Sequence, residues 1–321
     1  MNAQCKIRRG LFRFLDMRLL TTLLMTLAIT AFGACIQPKT NADNPPEEDT
    51  NEVQQVVEDT AHQLSLPKYF LRDSITACLK EKTANKDLKI IHVLVPLCDN
   101  QHQGIVPVNA SLGNGQNLRT NLYWGAGYGI KTHFSRSATW QLQQSVLNPS
   151  NDILERVIFK HATKNVVLIA DAYRGDRMKA CLQDYFQILA GIKSDTIPFA
   201  DSLLVIGNQT DLVAFNGHNG LMDMVIDTVR NVDGRIKDAI AIACASHGYF
   251  VDYLNAAGGY PLVMTAHLLA PEAYVLHNVL DAWIANKTDE ETRFVAAQGY
   301  HNIQNCGIRG ASNLFVTGWE P

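Results

Sequence analysis

"AIAIACASHGYF", residues 239–250, begins as a run of small and branched apolar residues and stops at Cys244, two positions before Ser246 and three before His247. A short continuous apolar run that passes directly into helical periodicity predicts a strand buried on both faces and followed at once by a helix. Three reactive side chains therefore meet at one strand-to-helix junction. One unit earlier, "TDLVAFNGHNG" at 210–220 repeats the pattern and delivers His218 between Gly217 and Gly220.

Working outward, the same alternation extends over the rest of the chain. "LKIIHVLVPL" (88–97) and "NVVLIADAY" (165–173) read as buried strands, and "DRMKACLQDYFQIL" (176–189) has apolar residues at helical spacing. "LMDMVIDTVRNV" (221–232) and "SHGYFVDYLNAA" (246–257) are predicted helices, "YPLVMTAH" (260–267) a strand and "PEAYVLHNVLDAWIA" (271–285) a long helix with Pro271 near its first turn. "FADSLLVIGNQ" (199–209) fits a helix or an extra strand equally. This order predicts an α/β fold, a mostly parallel sheet flanked by helices on both faces. The glycines of "NASLGNGQNLRTNLYWGAGYG" (109–129) follow no strand directly and match neither phosphate-binding spacing, so the segment reads as a structural loop.

In open parallel sheets, sites form where loops meet beyond the carboxyl ends of the strands. If adjacent strands carry His218 and Cys244, imidazole and thiol stand at one sheet edge, as nucleophilic catalysis requires. A thiol at a helix start gains thiolate character from the macrodipole, and a nearby imidazole exchanges its proton.

A His followed closely by Gly after one hydrophobic strand ("GHNG"), and then Ala-Cys after the next ("ACAS"), is similar to the layout of caspase-like cysteine peptidases. As an order of elements the resemblance spans roughly residues 88 to 286; Asn219, which separates His218 from Gly220, departs from it. The resemblance implies a three-layer sandwich, a peptide or protein substrate, Cys244 as nucleophile, His218 as general base, and the amides of Gly220 and Cys244 as oxyanion donors. It marks no substrate-pocket residue. Asp99 and Asp171, near the carboxyl ends of the first two strands, read either as lining a pocket for a basic side chain or as solvated loop carboxylates.

Two other classes compete. "CASHG" is one residue away from the Gly-x-Ser-x-Gly nucleophile elbow, which would make Ser246 the nucleophile of an α/β-hydrolase, although no convincing acid strand separates it from the downstream His267, His277 and His301. The same scaffold also serves a non-catalytic binding protein. His247 reads as a neighbour of the site rather than its base.

At the amino end, "MRLLTTLLMTLAITAFGAC" (17–35) joins Arg18 to an apolar stretch and the small pair Gly33 and Ala34. Its ending resembles the lipobox of bacterial lipoproteins, with Phe32 in place of the usual Leu, which implies lipidation at Cys35; an ordinary cleaved export signal is the alternative. Residues 1–35 are thus a signal segment. Residues 36–60, with paired prolines, acids and few apolar anchors, form a flexible linker, and 61–321 the α/β domain. The expected location is the bacterial cell envelope, anchored by lipid. The chain has 321 residues, 47% apolar and 18% charged, with a net charge of -3. That profile is globular and argues against a nucleic-acid partner. No ligand spacing indicates a metal, and no cofactor is expected. Beyond Cys5 and Cys35, five cysteines remain: an odd number, compatible with Cys244 free beside two disulfides or with several free buried thiols.

Overall fold

The computed structural model describes residues 70–319. The expected signal segment, the expected linker and Cys35 lie outside the described residues.

Among the described residues the strands are β1 (Lys89–Pro96), β2 (Trp140–Leu147), β3 (Ile153–His161), β4 (Val166–Tyr173), β5 (Asp195–Phe199), β6 (Ser202–Ile206), β7 (Leu212–Asn216), β8 (Lys237–Ile242), β9 (Gly259–Thr265) and β10 (Phe315–Val316). Eight of them form one sheet in the order β10-β9-β8-β7-β1-β4-β3-β2. The run from β9 to β4 is parallel, whereas β3, β2 and β10 join antiparallel. Every residue of β1, β4, β7, β8 and β9 is buried, as expected of strands covered on both faces.

Helices α1 (Asp73–Asn85), α2 (Ile130–Ser135), α5 (Ala273–Ile284), α6 (Asp289–Gln304) and α7 (Ile308–Ser312) cover one face. Helices α3 (Met178–Leu189) and α4 (Ser246–Ala257) cover the other. The α3 face presents Met178, Cys181, Leu182, Tyr185, Phe186 and Leu189, the residues picked out by helical spacing. The result is a three-layer α/β sandwich. The ambiguous segment 199–209 resolves as strand: β5 and β6 form a separate antiparallel hairpin whose Ile197, Leu204 and Ile206 cover Ile90, Ile158, Val167 and Ile169.

One expected helix is absent. Residues 221–232 hold only the end of a 3₁₀ turn, Gly220–Met222, and then run without helix to β8. The segment must return from the carboxyl end of β7 to the amino end of β8, and its β-branched residues Val225, Ile226, Thr228, Val229 and Val232 favour an extended path. Ile226 alone among these is buried, while Val225 and Val232 face solvent.

The glycine-rich connection after β1 is a structural loop, as predicted. Buried Asn121 pins it with all four of its hydrogen bonds: Oδ1 accepts from the amides of Cys98 and Tyr123, and Nδ2 donates to the carbonyls of Cys98 and Asn114.

The packing of α2 against α5 produces a pH dependence. His133 Nε2 lies 3.1 Å from His277 Nδ1, and the His277 ring also faces Ser137, Thr139 and Asp281. Burial first, then His277 and Arg136, lower His133 to about 4 from 6.5. The folded state therefore resists a proton that the unfolded chain accepts, so the contribution is complete above pH 6.5 and is lost as pH falls toward 4. Unfolding free energy should drop by roughly 2 kcal/mol across that window, and His133→Gln should flatten the curve in urea titrations; an unchanged slope would contradict this origin.

Candidate active site

The sheet order makes β7 and β8 parallel neighbours, with Asn216 opposite Ile242. His218 and Cys244 each stand two residues beyond that registered pair. The amide of Gly217 still reaches the Ile242 carbonyl (3.2 Å) before the chains part. His218 and Cys244 thus emerge side by side at the carboxyl edge, as the two apolar runs predicted.

Asn219 joins them. Fully buried, it donates from Nδ2 to the Cys244 carbonyl (2.7 Å), while its Oδ1 accepts from the Leu221 amide (3.1 Å) and caps the 3₁₀ turn. The residue that departs from the caspase-like layout is the bridge between the loops that carry His218 and Cys244. Gly220 is required by packing, because a Cβ there would lie 2.4 Å from Met178 Cγ on α3.

His218 is largely buried, and its Nε2 lies 2.6 Å from Asp223 Oδ2. The Cys244 thiol instead donates to the Leu269 carbonyl at 3.5 Å. No hydrogen bond joins His218 to Cys244 among the described residues. Residues 266–272 run across the thiol. The Ala245 amide donates to His267 O (3.0 Å), Asn216 Nδ2 to Pro271 O (2.9 Å), and the Ala270 amide to Tyr300 Oη (3.2 Å).

Burial pushes the Cys244 thiol above its ordinary value, contrary to the thiolate expected at a helix start. The geometry explains the difference. The N-cap of α4 is Ala245, in the left-handed region at φ 48°, so the chain turns sharply between Cys244 and the helix. The sulfur packs against the buried core and meets the Leu269 carbonyl, and there desolvation outweighs the dipole.

The other candidates take structural places. Ser246 is fully buried. Its hydroxyl donates to Ala241 O (2.7 Å), lies 3.1 Å from Thr265 Oγ1 and accepts from the Thr265 amide (3.0 Å). An oxygen so enclosed and saturated has no approach for a substrate, which counts against the elbow reading. His247 faces the Trp319 carbonyl at 3.2 Å. Asp99 and Asp171 are buried and paired, not solvated. Asp99 is buried beneath His102 Nδ1 (2.9 Å) and accepts the amides of Gln101 and His102. Asp171 is enclosed by His92 and a two-pronged contact from Arg156.

Cys78, Cys98, Cys181 and Cys244 are free thiols, so the arrangement with two disulfides does not hold for them and the alternative of several free thiols does. Among the described residues no group of three or more His, Cys, Asp or Glu could hold a metal, and no helix is long and apolar enough to cross a membrane. A cavity of about 230 Å³ lies at the opposite, amino edge of the sheet, lined by Ser74, Cys78, Asp211 and Arg235 among others. Asp211 there is already engaged by Lys82 (2.6 Å) and by the Ile90 amide (2.9 Å), so the cavity offers no convergent unpaired group.

Asp223 and Asn219 were missed as site residues in the sequence. Each belongs to "GHNGLMD", where an Asp five positions after a His forms no motif. Comparison with protein-family models, with curated proteins and with solved structures finds no match.

Proposed function

We propose that the chain is an exported, lipid-anchored cysteine peptidase of caspase-like type, with Cys244 as nucleophile, His218 as general base and Cys35 as the lipidated residue. The observation that carries this reading is the registered parallel pairing of β7 and β8, which puts His218 and Cys244 at one edge.

In this mechanism the thiol exchanges its contact with Leu269 for His218, which takes the proton as Sγ attacks the scissile carbonyl. The C–S bond forms, the carbonyl oxygen becomes an oxyanion, and the amides of Cys244 and Gly220 are its candidate donors. Collapse of the intermediate breaks the C–N bond, and His218 returns the proton to the leaving amine. Water then hydrolyses the thioester with His218 as base.

A peptide library assayed with the full-length protein, alongside a thiol-directed peptide electrophile, tests this function. Turnover together with covalent capture at Cys244 supports it. A second reading, a non-catalytic binding lipoprotein on the same scaffold, draws on the raised thiol and its contact with Leu269; binding without turnover or capture would favour it.

The anchoring half of the proposal rests on "FGAC" and is separately testable. Cys35→Ala should move the protein from the membrane fraction to the soluble exported fraction without altering its folding transition. Retention of the variant in membranes rejects the lipid anchor.

A further inference from the structure

We propose that Asp223 is the positioning acid of the His218–Cys244 pair, holding the imidazole so that Nδ1 is the nitrogen that receives the thiol proton. This deepens the catalytic reading above and rests on it.

The contact between His218 Nε2 and Asp223 Oδ2, at 2.6 Å, is a short hydrogen bond, at the tight end of those that imidazole makes to a carboxylate. An ionised carboxylate only accepts, so the hydrogen must reside on Nε2. In the neutral imidazole the lone pair is then on Nδ1, which has no hydrogen-bond partner among the described residues. A base nitrogen is thereby defined by its opposite nitrogen, the usual way in which an outer partner fixes a tautomer and a ring orientation.

The chain builds this arrangement locally. The amide of Met222 donates to the Asn219 carbonyl and that of Asp223 to the Gly220 carbonyl, both at 3.1 Å, so the 3₁₀ turn returns Asp223 beneath the ring of His218. Asn219, which caps that turn, also holds the Cys244 carbonyl. One short turn therefore sets the acid, the base and the nucleophile's backbone together.

Exposure suits the two roles. The His218 side chain is 10% accessible and the Asp223 side chain 38%, so the carboxylate keeps contact with solvent while it faces a ring that is mostly shielded. When His218 takes the thiol proton, the imidazolium it becomes is already paired. The single turn that opens 221–232 places an acid here. A helix over those residues, as the sequence predicts, would not make the return turn that brings Asp223 to His218.

The test measures alkylation by iodoacetamide near neutral pH, assigned to Cys244 by peptide mass mapping, in the full-length protein carrying Cys78→Ser, which removes the exposed one of the free thiols among the described residues. His218→Ala should slow labelling about 10-fold or more. Asp223→Ala should approach that rate, Asp223→Glu should recover about half of the wild-type rate, and the double variant should be no slower than His218→Ala alone. The low-field Hε2 proton resonance of His218 should be lost in Asp223→Ala and retained in Asp223→Glu, a signature that a merely structural carboxylate elsewhere on the turn would not move. If His218→Ala labels at the wild-type rate, the catalytic reading falls and this inference with it. If His218→Ala is slow while Asp223→Ala labels as wild type with its Hε2 resonance intact, the role of Asp223 alone is overturned.

Discussion

Asp171→Ala is expected to remove about 3–5 kcal/mol of folding stability, the largest effect of any single change discussed for this fold. Asp171 is fully buried on β4 between His92 Nε2 (2.9 Å) and Arg156, whose Nε and Nη2 reach it at 2.7 and 2.9 Å. Arg156 is itself 7% accessible and, among the described residues, reaches one other carboxylate, the largely exposed Asp195. Removing Asp171 strands a buried guanidinium that cannot shed its charge. Burial alone would raise the acid, but the contacts from His92 and Arg156 prevail and hold it at about 2. Its folded value is depressed, so the stabilisation is complete above the ordinary value of 3.8 and is lost as pH falls through about 2. Urea unfolding near neutral pH measures the loss; a midpoint within error of wild type would mean that the ion cluster contributes nothing.

The second large effect separates the two nucleophile assignments. Cys244→Ala should abolish peptide or amide hydrolysis, because the attacking atom is gone. Ser246→Ala should retain turnover and lose stability instead, by about 1–3 kcal/mol, because it leaves the Thr265 amide and the Ala241 carbonyl without the hydroxyl that now satisfies them. An active Cys244→Ala protein paired with a folded but inactive Ser246→Ala protein would reverse the assignment.

The two apolar runs ending at His218 and Cys244 were legible because strands covered on both faces leave a continuous hydrophobic signature, whereas the register that sets Asn216 opposite Ile242 is visible only in the structure. The antiparallel pair β2–β3 gave no such signal. β2, "WQLQQSVL", lies at a sheet edge with most of its residues partly or fully exposed, so no continuous apolar run forms. The segment 221–232 misled because apolar spacing is compatible with a helix, whereas the side chain of Asn219 had already committed Leu221 to a single turn. Thiolate character failed as an expectation for a related reason. It depends on where the sulfur points, and a left-handed Ala245 is invisible to hydrophobic patterning. Asp223 was hidden because its partner is chosen by backbone path and not by spacing.

The central strand also governs how the chain can reach its native state. Ile91 of β1 is paired on one side with Leu168 and on the other with Leu212, so neither neighbour of the first strand is close to it in sequence. Closing such loops costs entropy that rises only slowly with length, but it must be met before any long-range contact is formed. β1 therefore stays without both partners until β7 is available, and a nascent chain ending before residue 212 holds an eight-residue apolar strand with one edge open. Folding should be slow and dominated by late, distant pairing, and during that interval the aggregation hazard is concentrated on the strand that later lies at the centre of the sheet.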